Sequence, residues 1–118
     1  MADSAQRIYI LDEIEVKPGH TAKVRTVYRT RYQPGAKARG MVLEAEWQNP
    51  PAIDVPELPA TLFYLWSVEG TAGWWRQRLS RKADGSDERG DKHAFWQSIE
   101  PLLLGRKRRM LTDQPPEE

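Results

Sequence analysis

The chain has no cysteine, which removes disulfides, thiolate nucleophiles and zinc-finger ligation. With only 2 histidines, a transition-metal site would need carboxylates for most of its ligands. No spacing supports one, so no metal is expected. No apolar run approaches a membrane span, and residues 1–6 lack a basic region followed by an apolar stretch. These absences predict a soluble cytoplasmic protein with no membrane partner. A glycine-rich phosphate loop, a Ser-His-Asp arrangement and a dinucleotide fingerprint are all missing, so no cofactor is expected. An excess of one charge is missing too. The 18 basic and 17 acidic residues leave a net charge of +1, which argues against a dedicated nucleic-acid binder.

What is present is compact and aromatic. A chain of 118 residues has room for one domain and one core. Its 5 Trp and 4 Tyr bring large apolar area with polar tips, which suits pockets and subunit interfaces as well as cores.

Alternation over Arg7 to Val16 predicts a strand, with Ile8, Ile10, Asp12, Ile14 and Val16 on one side. Lys17-Pro18-Gly19 ends it. From about Thr21, Val24, Val27, Tyr28 and Tyr32 share a helical stripe, and Pro34-Gly35 is expected to break that helix. Met41 to Gln48 alternates again, with Met41, Leu43, Ala45 and Trp47 on one face. Residues 49–60 carry four prolines and read as a stiff loop. Thr61 to Val68 is the third strand. A helical region opens at Gly70-Thr71 and includes a Trp75–Leu79 pair, before a surface loop at Asp84 to Asp87. Asp91 is the expected N-cap of a last helix holding Phe95, Trp96 and Ile99 on one face. Arg108 to Leu111 is the centre of a fourth strand. Residues 1–6 and 113–118 are polar and expected to be disordered tails around a domain at 7–112.

The order β-α-β-β-α-β predicts an α+β, ferredoxin-like sandwich, with both helices on one face of an antiparallel sheet. The other face keeps apolar side chains that need a cover, and a second copy packed sheet to sheet supplies it. A homodimer forming an α+β barrel follows.

The residues also resemble a family. Ile8-Tyr9-Ile10-Leu11 through Val16-Lys17-Pro18-Gly19 resembles the opening strand and turn of NIPSNAP-type dimeric α+β barrel proteins. Phe63-Tyr64-Leu65-Trp66-Ser67-Val68 is similar to their central strand. Phe95-Trp96 through Pro101-Leu102, then Arg109-Met110-Leu111, is similar to their closing helix and strand. The resemblance implies the fold and the dimer more than a reaction. The wider superfamily is similar in shape to cofactor-free monooxygenases, muconolactone-type isomerases, polyketide cyclases, heme-degrading enzymes and stress-response proteins. Tyr64 stands where the family usually has His, and Asp12 where Arg is common. The proline-rich loop is longer than usual.

The candidate catalytic residues are Asp12, Glu44, Tyr64 and His93. Asp12, Glu44 and also Glu46 are strand carboxylates among apolar neighbours, where burial would tune them for acid–base work. Solvent exposure or pairing with an arginine is the plainer reading of each. Tyr28, Tyr32 and Tyr64 can donate to a carbonyl or a developing oxyanion. Trp66 shares a face with Tyr64 and, with Tyr28, Tyr32, Trp75 and Trp96, is a candidate for enclosing a flat apolar ligand. His93 is a candidate proton shuttle or heme ligand. The run Arg106 to Arg109 divides between two faces of a strand, so an anionic group on a small substrate fits it better than nucleic acid does.

The expected function is cofactor-independent acid–base chemistry on a small hydrophobic or aromatic carbonyl or phenolic metabolite, of isomerase, cyclase, lyase or monooxygenase type. A ligand-sequestering or stress-response homodimer is the alternative, and heme binding through His93 a second one.

Overall fold

A computed structural model describes residues 7–51, 56–78 and 89–114, with side chains from 92 onward in the last segment. Strand β1 is Arg7–Val16, and helix α1 is Thr21–Val27. A π turn at Tyr28–Tyr32 leads from α1 into α2, Gln33–Ala38. Then come β2 (Val42–Asn49), β3 (Ala60–Glu69), α3 (Gly70–Arg78) and α4 (Arg89–Ile99). A 3-10 turn at Glu100–Leu102 delivers β4, Leu103–Thr112. The tails 1–6 and 115–118, Leu79 and the loop at Asp84 to Asp87 lie outside the described residues.

The strands form one antiparallel sheet in the order β2-β3-β1-β4. This is the ferredoxin-like arrangement, with the first and third strands in the middle. Its cause is visible in β1 and β3. Ile10, Ile14, Val16, Leu62, Trp66 and Val68 alternate onto one face and are buried there. Val24, Tyr28, Tyr32, Phe95 and Ile99 of the helices complete the same core.

Three local expectations need correction. Pro34 does not break the first helical region. The backbone instead widens to the i→i+5 bonding of a π turn, with the Gln33 N–H on the Tyr28 carbonyl. Pro34 then falls in the first turn of α2, where a missing donor is tolerated. The helix stops two residues before Gly40, whose φ of 91° is open to glycine at little cost.

In β2 the simple alternation fails. Leu43 faces Trp66, yet Ala45 faces Leu65, so Glu44 is the extra residue of a bulge. The bulge puts Leu43, Glu46 and Gln48 on the helix side, and Ala45 and Trp47 on the other. At the last helix, α4 starts at Arg89, so Asp91 lies inside its first turn and not at the cap.

The helix-free face carries Tyr9, Leu11, Phe63 and Leu65, all half-buried, at its centre. Trp47 (56% exposed), Val42 and Leu111 flank them. Glu13, Lys107 and Arg109 cross the face as a charged band, with Arg109 paired to Glu13.

Candidate functional site

Asp12 is the one charged residue on the buried face of β1, and it is 2% exposed. A carboxylate placed there needs partners, because unpaired charge is costly in a dry core. Arg108, directly opposite on β4, supplies them. Its Nε donates to Asp12 Oδ1 at 2.6 Å and its Nη2 to Oδ2 at 3.0 Å. The Tyr28 hydroxyl donates to Oδ2 as well, at 3.0 Å, and accepts from Trp66 Nε1 at 2.8 Å. The chain therefore runs Trp66, Tyr28, Asp12, Arg108. Every donor in it points toward the carboxylate.

The chain continues to a second phenol. Arg108 Nη2 donates to the Tyr32 hydroxyl at 2.8 Å, and Arg39 Nη2 donates to the same oxygen at 3.2 Å. Arg39, between α2 and β2, is buried, and its guanidinium lies 5.6 Å from the Tyr32 ring centre. A phenol oxygen has two lone pairs and one hydrogen. With both lone pairs taken, the Tyr32 O–H remains to donate elsewhere. Tyr28 differs: it is engaged as donor and as acceptor.

Aromatic rings wall this network. Tyr28 stacks on Tyr64 with centroids 3.7 Å apart, and on its other side meets Tyr32 at 4.8 Å. Tyr32 packs against Phe95 at 5.2 Å and Trp96 at 5.5 Å. Trp96 in turn lies under the Arg106 guanidinium, 4.1 Å away. The π turn is what makes this possible. It carries Tyr28 and Tyr32, its first and last residues, onto the sheet.

Electrostatics follow the geometry. Burial, then the Asp12 carboxylate, push the Tyr28 hydroxyl well above the ordinary phenol value, so it stays a neutral donor. Burial, then Glu46, raise Tyr64 as well. Burial works against the charge on Arg108, but the Asp12 carboxylate and the Tyr32 oxygen outweigh it and raise its basicity further. Arg39 is lowered by burial, with the Tyr32 oxygen opposing and Arg108 adding to the fall. Lys92 is half-buried on α4 and is lowered to about 8, by burial first and then by Arg39, Arg108 and Arg78.

Of the sequence candidates, Asp12, Tyr28, Tyr32, Tyr64, Trp66 and Trp96 are brought together. Glu44 is not: the bulge places it on the edge strand, exposed, accepting from the Ser67 hydroxyl at 2.6 Å. His93 is exposed on α4, off the stripe that carries Phe95 and Trp96. Trp75 is 51% exposed and packs edge-on with Trp74, away from the tyrosines. Glu46 lies at the margin, accepting from Gln33 Nε2 at 3.0 Å with Arg29 at 4.0 Å.

Sequence reasoning did not single out Arg39, Lys92 or the specific role of Arg108. Lys92 did carry a signal, since 92, 95, 96 and 99 form one helical stripe. Arg108 carried one too, because an acid alone on an apolar strand face requires a cation beside it. Arg39 carried none. Among the described residues no group of three or more His, Asp or Glu side chains is placed to hold a metal ion. No described helix is long and apolar enough to cross a membrane.

No protein-family model matches the sequence, and no curated protein matches it significantly. Solved structures do match. A NIPSNAP family protein from Agrobacterium tumefaciens superposes with a TM-score of 0.63 at 14% identity, over 92% of this chain and 86% of the other. A NIPSNAP-like domain protein from Burkholderia xenovorans gives 0.64 at 13% identity, over 95% and 91%. A candidate antibiotic biosynthesis monooxygenase from Nitrosomonas europaea gives 0.62 at 11% identity, over 95% and 94%. The chain is thus NIPSNAP-like in fold, a fold it shares with monooxygenase-like proteins. At these identities the likeness extends to the fold alone.

Proposed function

We propose that the chain works as a homodimer, each protomer binding a small aromatic carbonyl or phenolic molecule beside Tyr32 and acting on it by cofactor-free acid–base chemistry. The observation that carries this reading is the Tyr32 hydroxyl. Two guanidiniums occupy its lone pairs, so its O–H is aimed by construction at a third group. Arg108 and Tyr32 together stabilise negative charge on a ligand oxygen. Asp12 fixes Arg108 through both carboxylate oxygens, and Oδ1 retains one acceptor position for a transferred proton. Phe95 and Trp96, packed on the Tyr32 ring, keep water from that oxygen. The likeness in fold to a candidate antibiotic biosynthesis monooxygenase fits this chemistry, since a deprotonated phenol can itself pass electrons to dioxygen, one oxygen atom entering the product and the other leaving as water, with no added cofactor.

The dimer rests on the helix-free sheet face. Trp47, Val42 and Leu111 are exposed there beside Leu11, Phe63 and Leu65. A second copy buries this area by matching apolar centre to apolar centre, with Glu13 and Arg109 self-complementary across a twofold axis.

One observation favours binding without turnover. Three donors already converge on Asp12, which makes the carboxylate a positioning group before it is a base. A panel of phenols and aromatic ketones, followed for product formation and oxygen uptake, separates the readings. Turnover that falls at least tenfold in Tyr32→Phe and Arg108→Gln, with binding retained, supports the enzyme. Binding with no turnover supports the sequestering protein, and turnover unchanged in both variants discards the site.

A further inference from the structure

The net charge of +1 conceals a segregation. Helices α1, α2 and α3, with the π turn between the first two, carry no acidic residue. Lys23, Arg29, Arg31, Lys37, Arg76 and Arg78 are exposed on them. The strands β1 and β2 hold Asp12, Glu13, Glu15, Glu44 and Glu46 instead. The two basic stretches meet at the end of α2. There Arg76 Nη1 stands 3.4 Å from the point that a Gly40 Cβ would occupy.

Apolar surface is exposed in the same region. Along α3, Gly73, Trp74 and Gln77 turn inward, so Trp75, Arg76 and Arg78 face solvent. Trp75 packs edge-on against Trp74, with ring centres 4.7 Å apart. Trp74 in turn walls a groove of about 300 Å³, together with Ile8, Met110, Leu111 and Thr112. Met110 and Leu111 are themselves exposed. An indole between two arginines, beside a hydrocarbon groove, suits the boundary between lipid headgroups and acyl chains.

From this placement we infer that the outer face of α3, with the end of α2, is a docking surface for an anionic lipid bilayer. The one-signed helices draw the chain to the membrane before contact. Arg76, Arg78 and Lys37 then take headgroup phosphates, Trp75 enters the interface, and the groove accepts part of an acyl chain. Other occupants explain less. A second copy would set one-signed helices against each other, and the proposed dimer uses the opposite face of the sheet. A nucleic-acid single strand stacks its bases on several aromatic platforms. Among the described helices Trp75 is the one exposed Trp, Tyr or Phe. A duplex would occupy the cations and leave Trp75 and the groove without a role. The surface lies apart from the tyrosine network, so its test is independent of the proposed ligand site.

The test is co-sedimentation of the full chain with phosphatidylcholine vesicles, pure or containing about 30% phosphatidylserine. At about 50 mM salt the chain should partition about tenfold more strongly onto the anionic vesicles, and about 500 mM salt should remove most of that preference. Trp75→Ala, and separately Arg76→Gln with Arg78→Gln, should each weaken partition about tenfold. These side chains are exposed, so the variants keep the fold. Brominated acyl chains should quench part of the tryptophan emission, and Trp75→Phe should lose that quenching. Equal partition onto both vesicles, partition onto neither, or partition unchanged in the variants overturns the surface. Quenching retained in Trp75→Phe overturns the insertion of Trp75. A labelled oligonucleotide, single-stranded or duplex, held as tightly as the anionic vesicles overturns the assignment to lipid.

Discussion

Arg108 and Asp12 occupy directly paired positions on neighbouring antiparallel strands, and the guanidinium holds both carboxylate oxygens. A register slip of one residue in β4 would send Arg108 to the helix-free face and leave Asp12 buried and charged. The pair therefore pins the register of the last strand as well as the site.

Breaking the pair from one side strands a charge. Arg108→Met should cost roughly 3 kcal/mol, because Asp12 is left in the core with Tyr28 as its remaining donor. Adding Asp12→Leu should restore part of that loss. Urea unfolding of the two single variants and the double variant checks both statements, and additive losses would contradict the coupling.

Tyr28→Phe removes the link between Trp66 and Asp12. It leaves the Trp66 N–H without its acceptor in the core and takes one donor from the carboxylate. A cost of about 2 kcal/mol is expected. The same unfolding measurement reads it, and a neutral result would mean that these hydrogen bonds are not formed in solution.

Lys92 gives a pH signature. Its folded pKa of about 8 lies below the ordinary 10.5, so the folded state resists the proton. The penalty is fully present below pH 8, fades as pH rises toward 10.5, and is absent above that. Lys92→Met should therefore stabilise the protein at neutral pH by about 1 kcal/mol, the shift being discounted for screening of a half-exposed amine. The gain should vanish near pH 10.5. Melting temperatures of the two proteins across this range check the sign.

Trp47→Glu with Leu65→Glu places charge on the helix-free face and leaves the helix side untouched. Sedimentation should show a dimer for the wild type at micromolar concentration and a monomer for the variant. A wild-type monomer would remove the barrel arrangement.

Much of this architecture was legible before any coordinates. β1 and β3 announce themselves because both central strands alternate over most of their length, and burial on one face enforces it. The Tyr28–Tyr32 stripe and the position of Trp66 were legible for the same reason. The bulge at Glu44 was not, since an edge strand with one extra residue has the composition of a regular one. The bulge is what turns Glu44 to the sheet edge and the Ser67 hydroxyl, away from the tyrosines. The π turn was equally hidden, because Pro34-Gly35 looks like a stop unless the preceding turn is known to widen. Arg39 was invisible for a further reason: an arginine beside a glycine at a helix end normally faces water, and here Tyr32 and Met41 hold it inside.

The proposed ligand site lies between Tyr32, Arg108 and Trp96, and the five tryptophans report on it directly. Each indole N–H gives its own proton–nitrogen resonance, with Trp66 and Trp96 at the site, Trp47 on the helix-free face and the Trp74–Trp75 pair on α3. Addition of a small phenol or aromatic ketone should move the Trp96 and Trp66 signals first, leaving Trp47, Trp74 and Trp75 in place. Movement confined to Trp47 or Trp74, with Trp66 and Trp96 still, would contradict it.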